Sequence, residues 1–542
     1  MNDHFDLSEK KGLVANWKAL ERVFLRPENE ATKKKLVKYM EQILFGLHDF
    51  LKKHVGITEE ASLIDLSNQF KNSTINDHPS QLLADGIRDI INQIAPHAVN
   101  VASPYFIGHM TSAIPFFMIH LHTIVAALNQ NVVKLETSKI VSIHERQVLA
   151  KIHRLVYKND SYFYDQHIQT PESTLGCFVS DGTIANLTAM WVARNSLFKA
   201  KPGFSGIENE GIASAYKAYG IEKAVVLVSQ LGHYSLRKAG GVLGIGNENV
   251  IRIGLNNKHQ IDIQQLEKTI QNLNNQSPKV KIIAVVGIAG ATETGTIDPL
   301  ETISDICIEH KIHFHVDAAW GGPTLLSDKY ARLLKGIERA DSVTIDGHKQ
   351  FYMPMTCGMI FFKNPKQLDT IAYHSAYVNR PGSVDLGIRS LEGSRAANSL
   401  TIGNALEIMG RKGYELLIDH GIETCAALAQ EIESRPLFQL ITKPSLNILT
   451  YQIIPEAIVN AYNNADMKHK KELMERINQV NIMIQRAQRQ AGKSFVSRTT
   501  LIIDQIERVV LRCVIMNPMT NMSIIREILD EQEAIYEKFY QS

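Results

Sequence analysis

The sequence has little cysteine, no surplus of either charge and no long apolar run. Its five cysteines, Cys177, Cys307, Cys357, Cys425 and Cys513, are scattered, and no two stand in a CxxC pair. That spacing offers no disulfide framework and no metal site, and it points to reduced thiols in a cytoplasmic setting. Lysine and arginine number 58 against 56 acidic residues, so no broad field attracts nucleic acid or an anionic membrane. Residues 1–20 lack the basic flank and continuous apolar stretch of a secretion signal. No uninterrupted apolar run reaches the roughly 18 residues of a membrane span, so none is expected. What is present is core material: 44% of residues are hydrophobic and 21% charged, which excludes disorder as the main state.

At 542 residues the chain exceeds one ordinary domain. From 31 to 93 apolar residues recur at helical spacing (Leu36, Met40, Leu44, Leu47, Leu51), until Pro96 and Pro104 interrupt. A second helical stretch covers 114–157. The middle alternates helical segments with short β-branched runs at 177–179, 224–229, 250–253, 281–288, 313–316, 342–345 and 359–362. Such alternation predicts an α/β fold, a mainly parallel seven-stranded sheet with helices on both faces. After 410 a helix (414–433), strands (438–454), a long charged helix (467–490), two strands and a last helix suggest a small α+β domain. The expected division is therefore 1–113 (a helical segment), 114–410 (the large α/β domain) and 411–542 (the small domain).

Active sites in open α/β sheets lie at the carboxyl ends of the strands, so the residues after each run carry the argument. The first run leads into Ser180-Asp181-Gly182-Thr183-Ile184-Ala185-Asn186 and a helix. Backbone N–H groups at a helix start, a glycine and a hydroxyl make a phosphate seat, although the same residues serve as plain turn and cap residues. His233 follows the second run, where it can cover an aromatic ring or be a satisfied polar residue. Gly290-Ala291-Thr292-Glu293-Thr294-Gly295 forms a hydroxyl-bearing loop. Asp317 ends a buried run ahead of Ala318-Ala319-Trp320-Gly321-Gly322, where an ionised carboxylate needs a cation or several donors. Asp346-Gly347-His348-Lys349 then sets a lysine immediately past a core strand. Each position has a bland reading, but the order of seat, histidine, hydroxyl loop, buried aspartate and lysine after strands of one sheet fits pyridoxal 5′-phosphate (PLP).

These residues resemble the group II PLP-dependent amino-acid decarboxylases, over about four fifths of the chain from Ser103 onward. The most specific pieces are His348-Lys349, Asp317 to Gly322, and Leu511-Arg512-Cys513-Val514-Ile515-Met516-Asn517-Pro518. The resemblance implies fold type I of the PLP-dependent transferases, with Lys349 as the Schiff-base lysine and Asp317 paired to the pyridine nitrogen. It implies that His233 stacks on the ring, Ala319 packs on its other face, Gly182, Thr183 and His348 hold the phosphate, and Thr292 lies near the ring hydroxyl. Tyr377 matches the loop tyrosine that protonates the carbanion, and Arg512 the arginine for a substrate carboxylate. Ser103-Pro104-Tyr105-Phe106 looks like the substrate-facing segment, with His109, Thr111 and Lys134 as nearby polar candidates. Three residues depart from the family pattern: Ser103 for histidine, Gly347 for proline and Ala291 for threonine.

The implied reaction is α-decarboxylation of an acidic L-amino acid, closest to the bacterial aspartate 1-decarboxylases that make β-alanine for pantothenate synthesis. Glutamate decarboxylation to γ-aminobutyrate is the near alternative, and aromatic amino acids or cysteine sulfinate are more distant ones. An aminotransferase or desulfurase shares Asp317 and Lys349 but not Arg512 with the tyrosine loop, and a silent binding protein is the non-enzyme alternative. The resemblance also implies a homodimer with its site at the subunit interface, to which the helical N-terminal segment contributes.

Overall fold

A computed structural model gives the structure of the protein and describes residues 30–52, 55–56, 63–276, 279–374 and 383–540, with short pieces at 8–9, 12–13 and 16–17. All seven runs of the middle region are strands: β1 (Gly176–Val179), β2 (Lys223–Ser229), β3 (Val250–Ile253), β4 (Val280–Ile288), β5 (His313–Asp317), β6 (Ser342–Asp346) and β7 (Gly358–Phe362). They form one sheet in the order β1-β7-β6-β5-β4-β2-β3. The pairs β2–β3, β2–β4, β4–β5 and β5–β6 are parallel, and only β7 runs against its neighbours β1 and β6. Nearly every residue of β1, β2 and β4 to β7 is buried, as expected for a sheet covered on both faces. A smaller sheet joins β8 (Phe438–Thr442), β9 (Ile448–Ile453), β10 (Ser497–Ile503) and β11 (Ile506–Val514) in the order β8-β9-β11-β10. Asp504 and Gln505, both at positive φ, make the tight turn between β10 and β11.

The expected helical stretch over 114–157 is interrupted. Helix α1 (Phe116–Leu128) stops at Asn129, whose φ of 46° is left-handed. A single turn then reaches Lys139, also at positive φ, before α2 (Ile140–Tyr157) begins. Helix α3 (Gly182–Leu197) starts where Asp181 accepts the N–H of Ile184 at 3.0 Å, a side-chain cap. Ala185, Ala189 and Ala193 recur at i, i+4 on its buried face, and their small size lets it pack on β6 and β7. The helix expected at 414–433 is longer, α4 (Asn398–Ser434), and kinks at Gly410, where φ 62° with ψ 175° requires glycine although the space beside it is open.

The chain divides into two compact units. One, 113–452 with 512–518, holds the seven-stranded sheet and helices α1 to α4. The other takes 1–112, 453–511 and 519–542, including α5 (Met467–Ala491) and α6 (Met522–Tyr540). The stretch 411–542, expected as a domain of its own, is shared between them. Inside the second unit Asn481 ties helix to strand, accepting from Ile453 N–H and donating to Ile453 O.

Candidate active site

The carboxyl ends of β4, β5 and β6 and the start of α3 bring the sequence-selected polar residues together within the first unit. Asp317, last in β5, is 7% exposed. Its Oδ2 accepts from Asn186 Nδ2 at 2.9 Å and its Oδ1 from Ala319 N–H at 3.2 Å. Among the described residues no lysine or arginine forms an ion pair with it, so two neutral donors alone meet a buried carboxylate. Such a group is stabilised by a further cation, and a protonated ring nitrogen supplies one.

Lys349 stands in the turn after β6, closed by Tyr352 N–H to Lys349 O at 2.8 Å. Its Nζ lies 3.0 Å from Asp346 Oδ2, and His348 Nε2 lies 3.7 Å from the same oxygen. Burial raises the Asp346 carboxyl, and the Lys349 ammonium pulls it back down. The first turn of α3 lies directly over this group: a Cβ added to Gly182 would sit 2.8 Å from Asp346 Oδ2. Glycine here lets the Asp346 carboxylate approach the start of α3 closely, and a helix start of this kind, with Thr183 next in sequence, is suited to an anionic group.

His233 caps the helix that follows β2 and is half-buried, with Nδ1 2.8 Å from Ser235 Oγ. Burial lowers its pKa, the Asp317 charge raises it and the Lys349 charge lowers it again, which sets the three groups in one electrostatic neighbourhood. The loop after β4 folds back through Gly290 and Ala291 N–H, both donating to Thr296 O, and carries Thr292. Ala319 is buried and its carbonyl accepts the N–H of Asp346 at 3.2 Å, so the two strand ends are tied together.

Arg512 is buried on the segment 512–518. Asn447 clamps that segment by exchanging hydrogen bonds with Ile515, and Tyr352 Oη donates to Met516 O at 2.7 Å. Burial lowers the Arg512 guanidinium and the carboxylate of Glu293, on the hydroxyl loop, raises it. Reciprocally, burial raises Glu293, and Arg512 and Arg252 lower it.

Four selected residues remain: Tyr377, His109, Thr111 and Lys134. Tyr377 lies outside the described residues; next to them, Tyr373 N–H donates to Ile388 O and its hydroxyl to Glu208. His109 and Thr111 belong to the second unit, where Thr111 Oγ1 is 3.4 Å from His109 Nδ1. Lys134 pairs with Glu136 at 3.1 Å. The sequence reading gave no role to Asn186, Asp346, Glu293 or Asn447. Asp346 carried a usable signal, since it is a polar residue at the end of a strand otherwise built from apolar or small side chains.

These residues fit PLP: an amine beside a carboxylate, a helix start at Gly182, and a buried carboxylate with no cationic partner among the described residues. Comparison with known proteins gives the same answer. The pyridoxal-dependent decarboxylase conserved domain matches residues 66–454. The aspartate 1-decarboxylase of Aliivibrio fischeri is 40% identical over 98% of this chain and 96% of its own length. The L-2,4-diaminobutyrate decarboxylase of Acinetobacter baumannii is 30% identical over 52% of this chain and 56% of its own. In fold, the crystal structure of Oryza sativa TDC with PLP and tryptamine superposes with a TM-score of 0.80 at 15% identity, covering 95% of this chain and 99% of that one. A match that spans the sheet and its lysine turn, a relative alike from end to end and a shared architecture leave one assignment: the chain belongs to the pyridoxal-dependent decarboxylases, which use PLP to remove carbon dioxide from an amino acid.

Proposed function

We propose that the chain converts L-aspartate to β-alanine and carbon dioxide, with Lys349 as the residue that holds the cofactor. The observation that carries the substrate is the end-to-end likeness to a protein named aspartate 1-decarboxylase. A buried arginine locked on a clamped segment, Arg512, supports a substrate carboxylate, because guanidinium geometry suits bidentate binding. Glutamate is the alternative, since one methylene alters binding by only about 1–3 kcal/mol.

PLP, when bound, supplies an electron sink for the pair left by the departing carboxylate. The protein's own residues do the rest. Lys349 Nζ is the attachment point, and Asp346, 3.0 Å away, is placed to take its proton. Asp317 would keep the ring nitrogen charged, His233 and Ala319 would cover the two ring faces, and Thr292 would meet the ring hydroxyl. Gly182, Thr183 and His348 would hold the phosphate at the start of α3. Arg512 would hold a substrate carboxylate and so fix the orientation of the substrate, a positioning effect. Tyr377 would supply a proton to the carbon that lost the carboxylate. His109 and Thr111 are assigned to the substrate side chain on the family resemblance alone.

The active form is proposed to be a homodimer. Helix α1 supports this, since Phe116, Ile119, Ile124 and Leu128 are all exposed along it.

Borohydride reduction followed by peptide mapping tests the site, with a phosphopyridoxyl label expected on Lys349 and a label on any other lysine ending the reading. Aspartate, glutamate, cysteine sulfinate, tyrosine and DOPA, assayed separately for carbon dioxide and amine, test the substrate. Aspartate is expected to give the highest kcat/KM, and a higher value for glutamate would transfer the assignment.

A further inference from the structure

Asn186 sits one turn into α3 and is 1% exposed, and its amide is fully engaged. Nδ2 donates to Asp317 Oδ2 at 2.9 Å and to Ser235 Oγ at 3.0 Å. Oδ1 accepts from Thr344 Oγ1 at 2.8 Å and faces His315 Nε2 at 3.0 Å. Two donors and two lone pairs are the whole inventory of an amide. Flipping the amide would set its oxygen against the Asp317 carboxylate, so the orientation is forced.

Every proton beyond Asn186 is then forced as well. Oδ1 can only accept, so His315 carries its proton on Nε2, and burial keeps this imidazole neutral by pushing its pKa down to about 3. His315 Nδ1 must therefore accept from Ser342 Oγ, 2.9 Å away. Ser342 has one proton to give, so His313 Nε2, at 2.8 Å from the same oxygen, must be the donor there. Gln367 Nε2 faces the remaining His313 Nδ1 at 3.3 Å. In the other direction Ser235 Oγ, having accepted from Asn186, gives its proton to His233 Nδ1 at 2.8 Å. The Ser235 backbone N–H also points at that nitrogen, at 3.3 Å, which independently requires Nδ1 to be an acceptor.

We propose that Asn186 is a positioning residue for the reaction: it orients the Asp317 carboxylate and, through Ser235, holds His233 as the Nε2–H tautomer. This rests on the assignment of Asp317 and His233 to the cofactor ring. One amide thus couples the group beneath the ring nitrogen to the imidazole on the ring face, and the His315–Ser342–His313 chain keeps that amide from turning. The other charges acting on His233 are those of Lys349, Asp346 and Asp181, and none of them forms part of the chain.

The test uses PLP-loaded wild type, Asn186→Leu, Ser342→Ala and the double variant. Two quantities are read: the cofactor dissociation constant and the pH midpoint of the cofactor's visible absorption band. Asn186→Leu is expected to weaken cofactor binding about tenfold, the cost of stranding buried polar groups, and to move the midpoint. Ser342→Ala, a small change on β6, is expected to move the midpoint the same way in the wild-type background and not at all on top of Asn186→Leu. Asn186→Ser runs beside Asn186→Leu with the same expectation, so a folding defect in the leucine variant leaves the cycle intact. An Asn186 variant matching wild type in both quantities overturns the proposal, as does a Ser342→Ala shift that is absent or that persists in full without Asn186. Failure of the underlying site assignment reads differently, because wild type itself would then show no band or a label away from Lys349.

Discussion

Two aspartates end neighbouring strands and both meet α3, but they do different things. Asp346 faces an ammonium, Lys349, and shares its oxygen with the His348 ring. Among the described residues Asp317 faces only N–H donors, so its charge is available to a cation brought by the cofactor. Replacing it with asparagine keeps the volume and removes that charge. A buried charge that loses its partner costs about 3–5 kcal/mol, which as a barrier is on the order of 10²–10⁴-fold in rate. Asp317→Asn is therefore expected to lower kcat by that factor while borohydride still labels Lys349. A variant retaining more than about a tenth of wild-type kcat would remove Asp317 from the ring nitrogen. Arg512→Lys is expected to act differently, because an ammonium is a point charge where a guanidinium is a fork. KM for aspartate should rise while the cofactor spectrum stays as in wild type, and an unchanged KM would separate Arg512 from the substrate.

At the scale of elements, the seven strands of the large sheet were legible to within a residue, because a strand buried on both faces is a continuous apolar run. The reversed direction of β7 was not, since periodicity carries no direction. Helix ends were misread where left-handed residues at non-glycine positions, Asn129 and Lys139, break the pattern without a proline or glycine to announce them. In the site, residues at strand ends could be found by position, whereas Asn186 could not, because a polar residue in the first turn of a helix reads as a cap. The same limit hid an ion pair that holds α2 in place. Glu145, in the middle of α2, is fully buried and meets Arg395, 6% exposed, through both oxygens at 3.0 and 2.5 Å. Arg395 stands three residues before α4, so the pair ties the approach of that helix to α2. Glu145→Gln leaves an uncompensated guanidinium and is expected to destabilise this unit by about 3–5 kcal/mol, whereas Glu145→Leu with Arg395→Met should recover much of the loss. Urea unfolding of the two variants against wild type checks it, and equal midpoints for the single and double variants would show that the pair is not what holds α2.

For the molecule as a whole, buried histidines make acid the weak side. His153, on α2, is held between the Tyr164 hydroxyl at 2.9 Å and Phe362 O at 3.0 Å, and burial lowers it to about 4. His315 is lowered to about 3 for the same reason. A base whose folded pKa lies below its unfolded value of about 6.5 gives stability that is present above that value and lost as pH falls towards the folded one. Near pH ~5 the two together cost about 4 kcal/mol relative to neutrality. Asp298 opposes them: burial raises it to about 6 although the Ile261 and Ile288 N–H groups it accepts from pull it down, so its contribution improves as pH falls. Its return over the same interval is only about 1 kcal/mol, so the histidines decide the sign. Thermal unfolding is therefore expected to shift to lower temperature between about pH 7 and pH 5. His153→Gln keeps a donor for Phe362 O and an acceptor for Tyr164 but cannot titrate, so it should reduce that acid-induced shift by roughly half of the histidine share. A shift of the same size in His153→Gln and wild type would mean that proton uptake on unfolding lies elsewhere in the chain.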